Sequence, residues 1–279
     1  MSYTRNSGLS LLPSPNEYWE QRAQRFAADD LGLKAVCSYG MPSFYNRAID
    51  ITQRHALMPW IKKARGKSIL DLGCGVGRWS RLMAAQGANV TGLDVSPTMI
   101  KEAGRRAAEE GVAANCNFLV GDVAELDTRR TYDQIFVITV LQHILDLERL
   151  SQAARVLKRH LAPGGSIVVL EAAPTGTVQR CDTAVFHART EFFYYDLFCR
   201  TGLAVREVRG VDPVPLKTLL LPHYRRLPGT LRIPALALVT GLSLPADLLL
   251  ARYCRRASWH KLFVLEHAGS AGGGAYQQD

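Results

Sequence analysis

Gly73, Gly75 and Gly77 stand in a G-x-G-x-G spacing directly after an apolar run, Ser68–Leu72, and ahead of Arg78 to Gln86, which reads as a helix. Glycine is needed where a chain turns from strand to helix with positive φ, or where a ligand must touch backbone with no Cβ in between. The amides that open the following helix carry partial positive charge and favour an electron-rich ligand group. About 20 residues on, a second apolar run, Asn89-Val-Thr-Gly-Leu93, ends in Asp94, which suits an acidic side chain reaching ribose hydroxyls.

The elements that must position these groups alternate. Strands are expected at Ser68–Leu72, Asn89–Leu93, Asn117–Val120, Tyr132–Thr139 and Ser166–Leu170. Helices separate them: one ending near Gln86, one from Ser96 or Pro97 to about Glu110, closed by Gly111, and one from Asp146 to His160. Pro163-Gly164-Gly165 makes a sharp turn into the fifth strand. This order predicts an α/β fold, a parallel sheet with helices on both faces, whose ligand sits beyond the carboxyl ends of the strands. Gly73, Asp94, Asp122, Thr139 and Glu171 all fall at such ends, hence along one rim.

Before this core, Met1 to Pro15 reads as a loosely held arm. Residues 16–64 read as a helical cap: Asn16 can start a helix bearing Tyr18, Trp19, Arg22 and Phe26, and a second helix spans Phe44 to Ala64, kinked or restarted at Pro59. After it come a helix from Thr190 to Arg200, a strand at Leu203–Arg209, a Pro-, Leu- and Arg-rich insertion over 210–259, a last strand within 260–267 and a disordered tail over 268–279.

The chain has 279 residues, 47% of them hydrophobic, enough for a full core. Its net charge of +9 is spread out rather than gathered, so nucleic acid is not an expected partner. Six cysteines show no C-x-x-C and no metal spacing, which fits reduced thiols in a cytoplasmic protein. No signal peptide is expected, and Pro234, Pro245 and Asp247 argue against a membrane-spanning helix in Ile233 to Ala251.

Leu70-Asp-Leu-Gly-Cys-Gly-Val-Gly77, Gly92-Leu-Asp-Val-Ser-Pro-Thr-Met-Ile100, Gly121-Asp122 and Leu161-Ala-Pro-Gly-Gly-Ser-Ile167 together resemble the successive motifs of class I S-adenosylmethionine-dependent methyltransferases. Val140-Leu-Gln-His-Ile144 is similar to the element after strand four in small-molecule members. The resemblance covers about Lys67 to Arg209, in order. A nicotinamide-type site would place a third glycine where Arg78 stands. The resemblance implies a Rossmann-like, doubly wound sheet of seven strands with the last antiparallel beside strand five, and S-adenosyl-L-methionine as cofactor. It implies that the Gly73-Cys74-Gly75 backbone approaches the methionine end, with Asp71 fixing the loop. It places Asp94 on the ribose, Val95 and Met99 on the adenine faces, and Gly121, Asp122 and the Val123 amide at the adenine edge. The Thr139 carbonyl would lie near the methionine ammonium. For Val95 and Met99 core packing, and for Asp94 helix capping, are the alternatives.

Methyl transfer from a sulfonium is an in-line displacement, so alignment and exclusion of water dominate. A hydroxyl nucleophile also needs a base. His143 is the first choice for base or substrate orienter, with helix capping as the alternative. His187, Arg189 and Tyr194, with Tyr18 and His223, are candidate acceptor-binding residues. The Asn/Asp-Pro-Pro-aromatic tetrapeptide of amino-group DNA methyltransferases is absent, and Thr139, Gln142 and His143 supply no carboxylate cluster for a metal. The insertion over 210–259 is expected to overhang the site as a substrate lid, with a dimer contact or a structural cap as alternatives. Its mix of leucine and arginine suits a lipid-like acceptor or a peripheral membrane contact through 219–256. The expected function is methylation of a small or amphipathic acceptor, as in secondary metabolism, at oxygen ahead of nitrogen. An RNA or protein acceptor, or a noncatalytic cofactor-binding module, are the alternatives. The sequence leaves monomer and homodimer both open.

Overall fold

A computed structural model describes residues 14–29, 31–38, 40–176, 185–213 and 220–269. Side chains along each central strand alternate between two cores, as the two-residue period of a strand requires. Strand β1 (Ser68–Leu72) sends Leu70 and Leu72 to one side and Ile69 to the other, and β4 (Tyr132–Ile138) divides Ile135 and Val137 from Phe136 and Ile138. In β5 (Leu161–Ala172), Ile167 and Val169 face one core, and Val168 and Leu170 the other. Helices α6 (Leu147–His160) and α7 (Glu191–Arg200) cover the first core with Leu150, Leu157, Tyr194 and Phe198. Helices α3 (Ser43–Ile61) and α4 (Arg78–Ala85) cover the second with Leu57, Ile61, Trp79 and Met83.

With β2 (Asn89–Asp94), β3 (Cys116–Val120), β6 (Leu203–Gly210) and β7 (His260–His267), the sheet has seven strands in the order β3-β2-β1-β4-β5-β7-β6. β1 to β5 pair in parallel, and β7 runs antiparallel between β5 and β6, as the resemblance implied. The Pro163-Gly164-Gly165 turn lies inside β5 as a bulge: Tyr132 pairs with Leu161, but Gln134 pairs with Ser166. Gly164 takes φ 73° there.

Helix α1 (Pro15–Phe26) starts one residue before the expected cap. Ser14 is the N-cap and exchanges hydrogen bonds with Glu17, leaving Asn16 inside the first turn. A short helix, α2 (Leu33–Val36), follows unannounced, and Pro59 lies within an unbroken α3. The proposed arm, apart from Ser14 and Pro15, and the tail beyond Gly269 lie outside the described residues.

The insertion leaves the sheet at the carboxyl rim, since His260 pairs with Ala172 at the end of β5. It forms a 3-10 segment, Leu221–Arg226, and helix α8 (Gly229–Leu250), which runs through both Pro234 and Pro245. α8 packs on α3, where its Asp247 is fully buried; burial, with the charges of Asp212 and Asp247, raises the Tyr45 phenol to about 12. Arg255 donates from Nε to Glu191 Oε1 at 2.9 Å, and His260 Nδ1 meets Asp212 Oδ2 at 2.6 Å, fixing the returning chain.

The N-terminal helices are joined to the glycine loop by Arg78, whose guanidinium donates to Asp50 Oδ1 at 2.8 Å and Gln53 Oε1 at 2.7 Å, both on α3. The pair is buried, so removing one partner strands the other charge. Asp50→Ala should lower unfolding stability by about 3 kcal/mol in urea titration; a loss within error of zero would mean the pair does not hold the cap to the core.

Candidate functional site

At the end of β1 the chain folds across the end of β2. Gly73 and Cys74 both donate their N–H to the Leu93 carbonyl, at 2.7 and 2.9 Å, and Gly75 N–H donates to Asp94 Oδ2 at 2.8 Å. Gly73 (φ 69°) has no room for a side chain, because a Cβ there would lie 2.3 Å from Val140 Cγ2. Asp71 sits behind the loop, fully buried, and accepts from Ser80 Oγ at 2.6 Å; burial raises its carboxyl to about 6. Asp94 Oδ1 accepts from Ser96 N–H at 2.9 Å, which orients the carboxylate while each oxygen keeps a further lone pair. Burial also raises the Asp94 pKa.

The neighbouring strand ends complete the wall. Asp122 accepts from Ala124 N–H at 2.8 Å and from Arg149 of α6 at 2.7 Å. Thr139 has φ 57°, costly for a β-branched residue, and is held by N–H donation to Leu170 O at 2.7 Å. The turn that follows is gathered by one carboxylate: Glu171 accepts from the N–H groups of Val140, Leu141 and Gln142 at 2.8, 2.8 and 3.1 Å. Burial pushes Glu171 up to about 7.

These tips enclose a cavity of about 590 Å³, in the range of small-molecule sites. Gly73, Cys74, Gly75, Asp94, Val95, Met99, Gly121, Asp122, Val123, Thr139 and His143 all line it. His143 differs from a poised base. Its Nδ1–H donates to the Val185 carbonyl at 2.6 Å, its Nε2 faces the Gln142 amide at 3.3 Å, and its ring packs edge-on against Trp19 and Phe186. Burial lowers its pKa to about 4, so it is neutral at pH 7.

The other expected acceptor contacts do not line this cavity. Tyr194 is wholly buried in the core beside Phe198 and Phe263, because position 194 faces the sheet from α7. Arg189 is also buried, and donates to the carbonyls of Leu141 and Ile144 at 3.2 and 2.7 Å, so it braces the turn after β4. His187 is exposed, and its N–H donates to Gln142 O. His223 is exposed on the 3-10 segment, and Tyr18 stacks edge-on against Trp19. No described residue of 220–259 lines the cavity, because α8 lies on α3 instead.

The helical cap expected ahead of the core does reach the site, through residues that the sequence did not single out as contacts. Ser14, Pro15, Asn16 and Trp19 cover it from α1, and Glu20 holds that helix in place by accepting from Ser96 Oγ at 2.6 Å and Thr98 Oγ1 at 2.5 Å. Arg78 and Arg149 also line it. Arg78 Nε is a buried donor with no partner, on a guanidinium whose other nitrogens are held by Asp50 and Gln53. Arg78 was visible in the sequence only as the residue that replaces a third glycine.

Residues 69–165 match the family described as "Methyltransferase domain". The chain is 36% identical over 170 residues to a ubiquinone biosynthesis O-methyltransferase of Rickettsia conorii, covering 53% of this chain and 55% of the relative. It is 30% identical over 166 residues to the protein of the same name from Aeromonas salmonicida, covering 54% of this chain and 68% of the relative. The chain thus spans about half to two thirds of the length of these curated relatives. The CcbJ methyltransferase from Streptomyces caelestis shares the fold, with a TM-score of 0.61 at 17% identity over 92% of this chain and 100% of that one. The chain belongs to the class I S-adenosylmethionine-dependent methyltransferases. The cavity suits that family's cofactor: a side-chain-free loop, a carboxylate with spare lone pairs, and an unpartnered guanidinium donor for a carboxylate.

His143 binds a proton less readily in the folded state than at its ordinary pKa of 6.5. Its contribution to stability is therefore complete above about pH 6.5 and lost as pH falls towards 4. The stability difference between wild type and His143→Gln should grow as pH rises from about 4 to 6.5 and stay level above it. Unfolding midpoints across that range would show this, and a difference independent of pH would contradict the neutral, desolvated ring.

Proposed function

We propose that the chain transfers a methyl group from S-adenosylmethionine to an oxygen, or a nitrogen, of a small or amphipathic acceptor. The observation that carries this reading is the meeting of the glycine loop, Asp94, Asp122 and Thr139 in one cavity with Trp19 and His143 on its wall. The bound cofactor supplies an electrophilic methyl group on a sulfonium. The Gly73-Cys74-Gly75 backbone, braced by Asp71, lies against its amino-acid end, where the Arg78 guanidinium offsets a carboxylate and the Thr139 carbonyl accepts from an ammonium. Asp94 accepts from the ribose hydroxyls, Val95 and Met99 flank the adenine, and Gly121, Asp122 and Val123 meet its edge.

His143 orients the acceptor rather than deprotonating it, because a ring with a pKa near 4 is a weak base at neutral pH. That favours a nucleophile already electron-rich at neutral pH, such as an acidic phenol, a carboxylate or a neutral amine. The chain's own task is then alignment and dryness, to which α1 contributes Trp19 in the cavity wall. The names of the relatives, ubiquinone biosynthesis O-methyltransferases, support oxygen as the atom and a small biosynthetic intermediate as the acceptor class.

Incubation with methyl-labelled S-adenosylmethionine and fractionated cell extract tests the reading. Label is expected in organic-soluble material of low mass, unchanged by prior nuclease and protease treatment. Label confined to nuclease- or protease-sensitive material would move the acceptor to RNA or protein, and cofactor binding without turnover on any fraction would remove the transferase role.

A further inference from the structure

Helix α8 is built inside out. Between Ile233 and Leu250 every polar side chain is buried: Thr240, Ser243 and Asp247 turn inward with Leu236. The opposite face carries Leu231, Leu238, Leu242 and Leu249, between 54% and 72% exposed, and Ile233 and Leu250 are also exposed towards the helix ends. A water-facing helix arranges these classes the other way round. The outward leucines form an apolar strip that spans about 27 Å at 1.5 Å per residue, larger than the scattered apolar residues of an ordinary surface. Among the described residues, α8 is also the one helix long and apolar enough to cross a membrane.

Charge is confined to the ends of the strip and has one sign. Arg226 precedes it, Arg232 stands in its first turn, and Arg252 and Arg256 follow, all exposed. Tyr253 and Trp259, also exposed, lie beside the second pair. Asp247 is the one acidic residue in 220–259, and it is buried. Leucines flanked by arginines and interfacial aromatics complement a bilayer with anionic headgroups.

Two other occupants fit less well. Crossing the bilayer would require the inner face to leave α3, exposing Asp247 to hydrocarbon. Pro245 also has no N–H for the Gly241 carbonyl on the outward face, which is tolerable where water and headgroups reach but not in the bilayer centre. A second copy docked antiparallel through the same strip would set Arg232 against Arg252 and Arg256 with no exposed acid between them.

We propose that α8 docks the protein flat on an anionic lipid bilayer, its outward leucines entering the interfacial layer and its flanking arginines meeting headgroup phosphates. This goes beyond the transferase reading and does not depend on it. The test is co-sedimentation of the full chain with vesicles of phosphatidylcholine alone or mixed with phosphatidylglycerol, at low and high salt. Wild type should bind the mixed vesicles, more weakly by on the order of ten-fold when the anionic lipid is omitted or salt is raised. Leu238→Glu/Leu242→Glu and Arg252→Glu/Arg256→Glu should each lose about ten-fold or more, with circular dichroism and unfolding midpoints unchanged. Wild type left in the supernatant with both vesicle types would overturn the proposal. So would undiminished binding by the leucine variant, or a dimer that this variant dissolves while wild type ignores vesicles.

Discussion

The structure depends on the way the glycine loop is pinned across the end of β2. One carbonyl, Leu93 O, collects two consecutive amides, and one carboxylate, Asp94, collects a third. Those hydrogen bonds fix a backbone that only glycine can follow at positions 73 and 75, where φ is positive and a Cβ would strike Val140 or Val36. The result is a loop that presents main chain to the cavity at no further cost in ordering. Asp94 is part of that fixture as well as part of the site, so loop geometry and carboxylate orientation are one property.

A second carboxylate does the same work on the other side. Glu171, buried at the end of β5, gathers three successive amides of the turn after β4 and so sets Val140 against Gly73 and Thr139 in its unusual backbone region. Arg189 adds hydrogen bonds to the carbonyls of the same turn. His143 is carried on this turn and inherits its burial, which is why the imidazole is held neutral. Arg78 extends the arrangement outward, tying the first turn of α4 to Asp50 and Gln53 on α3, so the helical cap is anchored next to the cofactor loop.

The strands were legible because each apolar run is short and bounded by turn or capping residues, and the place of the last strand beside β5 was what the family resemblance implied. The rim residues followed from strand ends alone. What escaped was decided by partners distant in sequence. Tyr194 reads as a polar aromatic beside other rim candidates, yet the helix turns it onto Phe263. Arg189 reads as a substrate ligand and is a brace. The insertion reads as a cover for the site because it leaves the sheet at the right rim, but α8 packs on α3 instead, with Leu236, Thr240, Ser243 and Asp247 buried. Pro234 and Pro245 suggested an interrupted helix, and α8 runs through them because only single carbonyls lose donors, one of them on an exposed face.

The central claim is that this pinned loop and Asp94 form one ready-made seat for an adenosyl sulfonium. Titration calorimetry of wild type and Asp94→Ala with S-adenosylhomocysteine measures it directly. Wild type should bind to saturation at one site, and the variant should bind more weakly by about 1–3 kcal/mol, the cost of unpaired polar groups. No heat with wild type, or equal affinity in the variant, would contradict the account.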